Sequence, residues 1–232
     1  MRRNTIKTKI LALFAVALLI AGHASTVLAS KPSEISDWTT EANSLPATRT
    51  EMGTAEYNGY VYLVAGSGAA NSDSTVYAKI QESGSVGEWQ TSAHALPFGN
   101  FRLTSVTHNG YLYAIGGRDG GALTSIYRAQ LDSETGAPGA WVETANSLPV
   151  GLYYANSFVF QNYLYIIGGD DHSGAVNTVY SAPIEEDHTI GTWEQSSDNL
   201  PVDIALGTVI VHEDYVYIIG GRDDEGALDS VY

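Results

Sequence analysis

The chain has 232 residues, no cysteine, 26 acidic and 11 basic side chains, and a formal net charge of −15. That length accommodates one large all-β domain or two small ones, and a surface so anionic repels phosphate backbones and anionic headgroups, which argues against nucleic acid and membrane surfaces as partners. Without cysteine there is neither a disulfide staple nor a lipid-anchored N-terminus, so stability must come from packing.

Residues 1–29 read as a signal peptide. Arg2, Arg3, Lys7 and Lys9 precede an unbroken apolar run from Ile10 to Ala21, and Val27-Leu28-Ala29 offers small residues where a signal peptidase reads. The run is too short to span a bilayer, which takes about 20 apolar residues. Removal of the leader leaves no membrane span and predicts a secreted or periplasmic protein. All 26 carboxylates and only 7 basic groups follow Ala29, a balance of −19 for that part of the chain.

From there the chain repeats. Trp38, Trp89, Trp141 and Trp193 recur at intervals of 51, 52 and 52, each followed seven residues later by Leu-Pro (Leu45-Pro46, Leu96-Pro97, Leu148-Pro149, Leu200-Pro201). Tyr62, Tyr113, Tyr165 and Tyr217 keep the same period. Three residues after each comes a small pair: Ala65-Gly66, Gly116-Gly117, Gly168-Gly169, Gly220-Gly221. A second tyrosine closes each unit, at Tyr77, Tyr127, Tyr180 and Tyr232. Five landmarks in one order, four times over, mark a tandem repeat.

Each unit reads as four short strands. The first runs into a turn, Asn58-Gly59, Asn109-Gly110, Gln161-Asn162 or Glu213-Asp214, of which the first two are favoured type I′ dipeptides. It returns as a strand apolar on both faces, such as 111–115, 163–167 and 215–219, and such a strand is covered on both faces. A polar loop after the glycine pair leads to a third strand around the second tyrosine, and a glycine-containing turn leads to a fourth that opens with the tryptophan. Four antiparallel strands per fifty-odd residues is a propeller blade. The expected arrangement is an all-β propeller of four-stranded antiparallel blades with about four blades present: a signal peptide over 1–29, an outer strand over 38–44, blades at about 49–95, 100–147 and 152–199, and a partial blade over 204–232. No helical periodicity is sustained after residue 30.

The glycine pair after an aromatic strand, a tyrosine about ten residues on and a tryptophan about thirteen beyond, as in Gly116-Gly117, Tyr127 and Trp141, resembles the kelch-repeat family. The resemblance covers residues 38–232. It departs from the family's pattern at Ala65-Gly66, and at the arginine many kelch repeats carry after Leu-Pro, a place that Arg49 fits, from which Arg102 is displaced, and that Leu152 and Ile204 fill in later units. Kelch rings usually have six or seven blades, so the resemblance implies an incomplete ring and a fragment of a longer propeller, with an apolar blade face open to association, against the alternative that the strand at Trp38 completes the fourth blade and closes a four-bladed ring.

In propellers the loops after the glycine pair gather at one mouth, where ligands bind. Here they offer Arg118 and Asp119, then Asp170, Asp171 and His172, then Arg222, Asp223 and Asp224. This is a ligand surface mixing arginine and carboxylate, against the plainer reading that Asp and Gly favour tight loops. The loops lack the Asp-x-Asp-x-Asp-Gly spacing of a calcium loop. His108 and His212 share a repeat position with Tyr57 and Phe160, which reads as packing. No metal or cofactor is expected.

The resemblance implies an interaction platform for a protein or glycan. Two enzymes resemble it as well. Galactose oxidase chemistry needs a cysteine joined to tyrosine, which this chain lacks. Periplasmic sialic-acid mutarotases need a central acid–base pair, for which Arg49, Glu51 and Arg102 are the nearest candidates, though their spacing reads as no repeat pattern. A third reading is a surface or adhesion protein of which the propeller is one part.

Overall fold

The computed structural model describes residues 40–68 and 72–232. The signal peptide and Trp38 lie outside the described residues. Every regular element among the described residues is a strand. Blade 1 is the sheet β2 (Gly53–Tyr57), β3 (Tyr60–Val64), β5 (Thr75–Lys79), β6 (Gln90–Thr91). Blade 2 is β7 (Thr104–His108), β8 (Tyr111–Ile115), β11 (Ile126–Gln130), β12 (Val142–Glu143). Blade 3 is β13 (Asn156–Phe160), β14 (Tyr163–Ile167), β15 (Val179–Pro183), β16 (Glu194–Gln195). A fourth begins with β17 (Thr208–His212) and β18 (Tyr215–Ile219), and Val231 bridges Ile219 where a third strand starts. All pairings within the blades are antiparallel. Short ladders add β1 (Arg49–Thr50) on β4 (Ser67–Gly68), and β9 (Arg118–Asp119) on β10 (Gly121–Ala122). Residues 40–44 form no strand; Asn43 instead donates its amide to Val86 O (2.9 Å) and accepts the Trp89 indole N–H on its carbonyl (3.2 Å).

The hairpin turns have the backbone their sequences require. Asn58 and Gly59 have φ of 50° and 77°, Asn109 and Gly110 45° and 80°, the left-handed pair whose twist matches the flanking strands. Gln161 and Asn162 adopt the same sign at 47° and 67°, so the third hairpin turns alike with less permissive residues.

The core lies between blades. Tyr60, Tyr62, Val64 and Tyr77 face Leu112, Ala114 and Tyr127 of blade 2. Tyr113, Ile115 and Ile126 face Leu164, Ile166, Tyr180 and Ala182 of blade 3. Phe158, Ile167, Ile204 and Ile218 hold blade 3 to the start of blade 4. The leucines of the last three Leu-Pro steps fill these joints, Leu96 and Leu148 buried and Leu200 partly so. The tryptophans are half-buried at the same joints: Trp141 packs against the blade 1–2 core and Trp193 against the blade 2–3 core, with both indole N–H groups buried and unpaired. Fully buried tyrosines also stitch blades together through polar ends. Tyr62 donates to Gly136 O (3.0 Å), and Tyr113 to His188 O (2.9 Å), the same turn one blade on.

The second tyrosines do not share one place. Tyr127 pairs with Ala114, Tyr180 with Ile166, and Tyr232 exchanges backbone hydrogen bonds with Ile218. Tyr77 instead pairs with Tyr62 and stacks on it at 6.2 Å. It therefore sits one position out of register, on the opposite face of its sheet, and Val76 holds the equivalent place. The forward face of β17 and β18 carries exposed Ile210, Tyr215, Tyr217 and Ile219.

Candidate functional site

The glycine pairs bring the polar loops onto the innermost strands. Gly168 (φ 59°) lies where a Cβ would come within 2.3 Å of Ile204 O, so the chain can pass that close only without a side chain. The residue after each pair is then tied beside the entry to an inner strand: Ser67 to Thr50, Arg118 to Phe101, Asp170 to Tyr153, Arg222 to Ala205. This ladder brings three of the expected site residues, Arg118, Asp170 and Arg222, to one end of the inner strands.

The next residues along form the site. Glu51, Arg102, Tyr154 and Leu206 occupy one repeat position and share a left-handed backbone, with φ of 55°, 61°, 56° and 60°. Such values are uncommon outside glycine, and four in register mark an over-determined feature. Their main chains hand hydrogen bonds from blade to blade: Arg102 N to Glu51 O (2.7 Å), Tyr154 N to Arg102 O (2.8 Å), Leu206 N to Tyr154 O (3.1 Å). Their side chains converge on a cleft of about 400 Å³ that Thr50, Met52 and Asn156 also line. Glu51 and Arg102 thus do recur in a pattern, and at a different place from Arg49. The Arg49 guanidinium bonds Ala65 O, Ser74 O and Ser74 Oγ inside blade 1. Asn100, its counterpart, donates to Gly116 O (2.9 Å) and accepts from Arg118 N (3.0 Å). This position braces the glycine loop.

In the cleft, Arg102 Nε meets Glu51 Oε1 at 3.0 Å, and the Tyr154 hydroxyl donates to the same oxygen. The Arg102 guanidinium lies 4.7 Å from the Tyr154 ring centre and 5.8 Å from that of Tyr153. Burial alone would raise the Glu51 carboxyl, but hydrogen bonds from Tyr154 and Arg102 outweigh it and hold the group below the usual carboxylate range. Burial, then the bond to Glu51, pushes the Tyr154 phenol up to about 12. Asp170 forms a second such unit. Buried itself, it pairs with Arg222 Nη2 at 3.1 Å, and the bonds from Tyr153, the His172 N–H and Arg222 keep it below its ordinary range against the cost of burial. Arg118 lies over the Tyr153 ring at 5.2 Å, and among the described residues no carboxylate pairs with it.

The remaining expected residues serve the loops. Asp171 accepts from Ser173 N, Asp223 from Glu225 N and Gly226 N, and Asp224 from Ala175 N of the neighbouring blade. Asp119 is exposed, and His172 takes a left-handed turn position with φ 82°. His108 is a hydrogen-bonding residue, its Nε2 2.7 Å from Asn162 Oδ1. Tyr153 and Tyr154 carry no motif in the sequence; counting 51 residues on from Glu51 reaches Arg102, and 52 more reaches Tyr154. Among the described residues no three His, Asp or Glu side chains cluster as metal ligands.

Comparison with known proteins fits this geometry. The kelch motif model matches residues 101–128, the inner entry, hairpin, glycine pair and third strand of blade 2. Spermatocyte protein spe-26 of Caenorhabditis elegans is 25% identical over 201 residues, covering 84% of this chain and 33% of that protein. Kelch domain-containing protein SSO1033 of Saccharolobus solfataricus is 38% identical over 79 residues, 32% of this chain and 10% of that protein. The chain spans a third or less of the curated relatives it matches. With the motif seated on one blade and its landmarks repeated in the others, the chain is similar to kelch-repeat proteins, and its sheets are the four-stranded antiparallel blades of that fold.

Proposed function

We propose that the chain is a binding module that receives a protein or glycan ligand at the cleft around Glu51, Arg102 and Tyr154. Kelch blades supply a scaffold for interaction, and a scaffold alone does not fix function. The observation that carries the reading is the main-chain relay through Glu51, Arg102, Tyr154 and Leu206. It fixes the backbone and leaves four side chains of different chemistry, acidic, basic, aromatic and aliphatic, facing one cleft. Concave sites with a few convergent polar groups on an apolar wall are where ligands bind. The ligand is met outside the cytoplasm, on the reading of residues 1–29 as a leader; N-terminal sequencing of the native protein should begin at Ser30. A glycan-array and protein-interaction screen with the purified chain tests the function. Hits should be lost in Leu206→Arg, which fills the cleft, and retained in Glu186→Ala on a remote turn; hits equally strong in both variants would refute the assignment.

A further inference from the structure

Between residues 40 and 232 the chain has six basic side chains, Arg49, Lys79, Arg102, Arg118, Arg128 and Arg222. Three of them stand at inner-strand entries, Arg102 and Arg118 both at that of blade 2 and Arg222 at that of blade 4. Guanidinium groups over aromatic rings suit planar recognition of a carboxylate. Two of the three already hold one: Arg102, stacked on Tyr154, holds Glu51, and Arg222 holds Asp170. Arg118 repeats the arrangement, 5.2 Å over the buried Tyr153, without a carboxylate of the described chain. The protein therefore displays twice, with its own side chains, the group that the third arginine lacks.

Resting on the binding role proposed above, we infer that Arg118 takes a carboxylate of the ligand, completing a third arginine–carboxylate unit beside Glu51–Arg102 and Asp170–Arg222. The fixed carboxylates on either side disfavour a second acidic group nearby, so the ligand presents one carboxylate on an otherwise neutral, hydrogen-bonding body. Two sources share that chemistry, a uronic-acid sugar and a peptide with a single acidic side chain.

The test uses the whole chain and four probes: a glucuronate-terminated disaccharide, its neutral glucose counterpart, a tetrapeptide with one glutamate, and the same peptide with glutamine. Titration calorimetry is done in low salt and again in about 0.5 M salt. At least one acidic probe should bind, its neutral counterpart should bind about tenfold or more weakly, and salt should weaken the acidic probe. Arg118→Gln should abolish the difference between acidic and neutral forms, while circular dichroism and the melting midpoint confirm that the variant folds. Which acidic probe binds identifies the source. Equal binding of acidic and neutral forms, no binding by either acidic probe, or unchanged discrimination in Arg118→Gln would each overturn the inference. A neutral ligand that loses binding in Leu206→Arg but not in Arg118→Gln would overturn the carboxylate while leaving the cleft as the site.

Discussion

Removing a hydroxyl from three tyrosines in turn measures how blades are joined. Tyr62, Tyr113 and Tyr165 occupy one repeat position. Tyr62 reaches Gly136 O, which is buried, and Tyr113 reaches His188 O, which is half-buried, whereas the Tyr165 hydroxyl has no hydrogen bond among the described residues and its ring stacks on Phe158 at 4.8 Å. Phenylalanine keeps each ring and deletes only the donor. Tyr113→Phe should cost about 1 kcal/mol, the net worth of one hydrogen bond. Tyr62→Phe should cost more, about 1–3 kcal/mol, because it strands a carbonyl away from water. Tyr165→Phe should stay within about 0.5 kcal/mol of the parent. At this size about 1 kcal/mol moves a melting midpoint by about 2–4 °C, so urea titration with thermal melting resolves the ranking. Three equal losses would refute the claim that these tyrosines act through the turn of the following blade.

Other consequences are open to the same methods. Asn100→Ala leaves Gly116 O without its donor in a buried place, while Arg118 N keeps Phe101 O, and should cost about 1–3 kcal/mol by urea unfolding. Trp141→Ala should cost about 3 kcal/mol, the low end for a tryptophan because the ring is half-buried, and Glu186→Ala no more than about 0.5 kcal/mol. Glu51 and Asp170 have folded pKa values depressed below their unfolded ones, so their contribution is complete above the ordinary carboxylate range and lost as pH falls through the folded values. Stability should therefore drop below about pH 4, and Glu51→Gln should flatten that acid limb; an unchanged acid profile would count against the Glu51–Arg102–Tyr154 contact.

The blades were legible because the residues that set them act locally. Asn-Gly at 58–59 and 109–110 dictates its turn, and an apolar run such as 163–167 can only be a covered strand. What depends on register was harder. Tyr77 looks like Tyr127 in a spacing count, but only the pairing to Tyr62 shows that it faces the other way. Trp141 and Trp193 pack at the joints, and their half-burial reflects where the outer strands run, which composition does not encode. The cleft was least visible. Glu51, Arg102, Tyr154 and Leu206 share no chemistry, and what unites them is a backbone angle; their common position emerges only once the strand entries are aligned. Of the loop residues, Arg118, Asp170 and Arg222 reach the inner-strand entries beside the cleft because they follow the glycine pairs directly, while Asp171, Asp223 and Asp224, one or two positions later, serve the loops.

The relay at those four positions separates holding from recognising. Because amide and carbonyl groups do the fastening, any side chain that tolerates a left-handed backbone can stand there without loosening the joint, as the contrast of Glu51 with Leu206 already illustrates. A lineage of such proteins could exchange the four freely and change what the cleft accepts, one substitution at a time, while the blades beneath stay as they are.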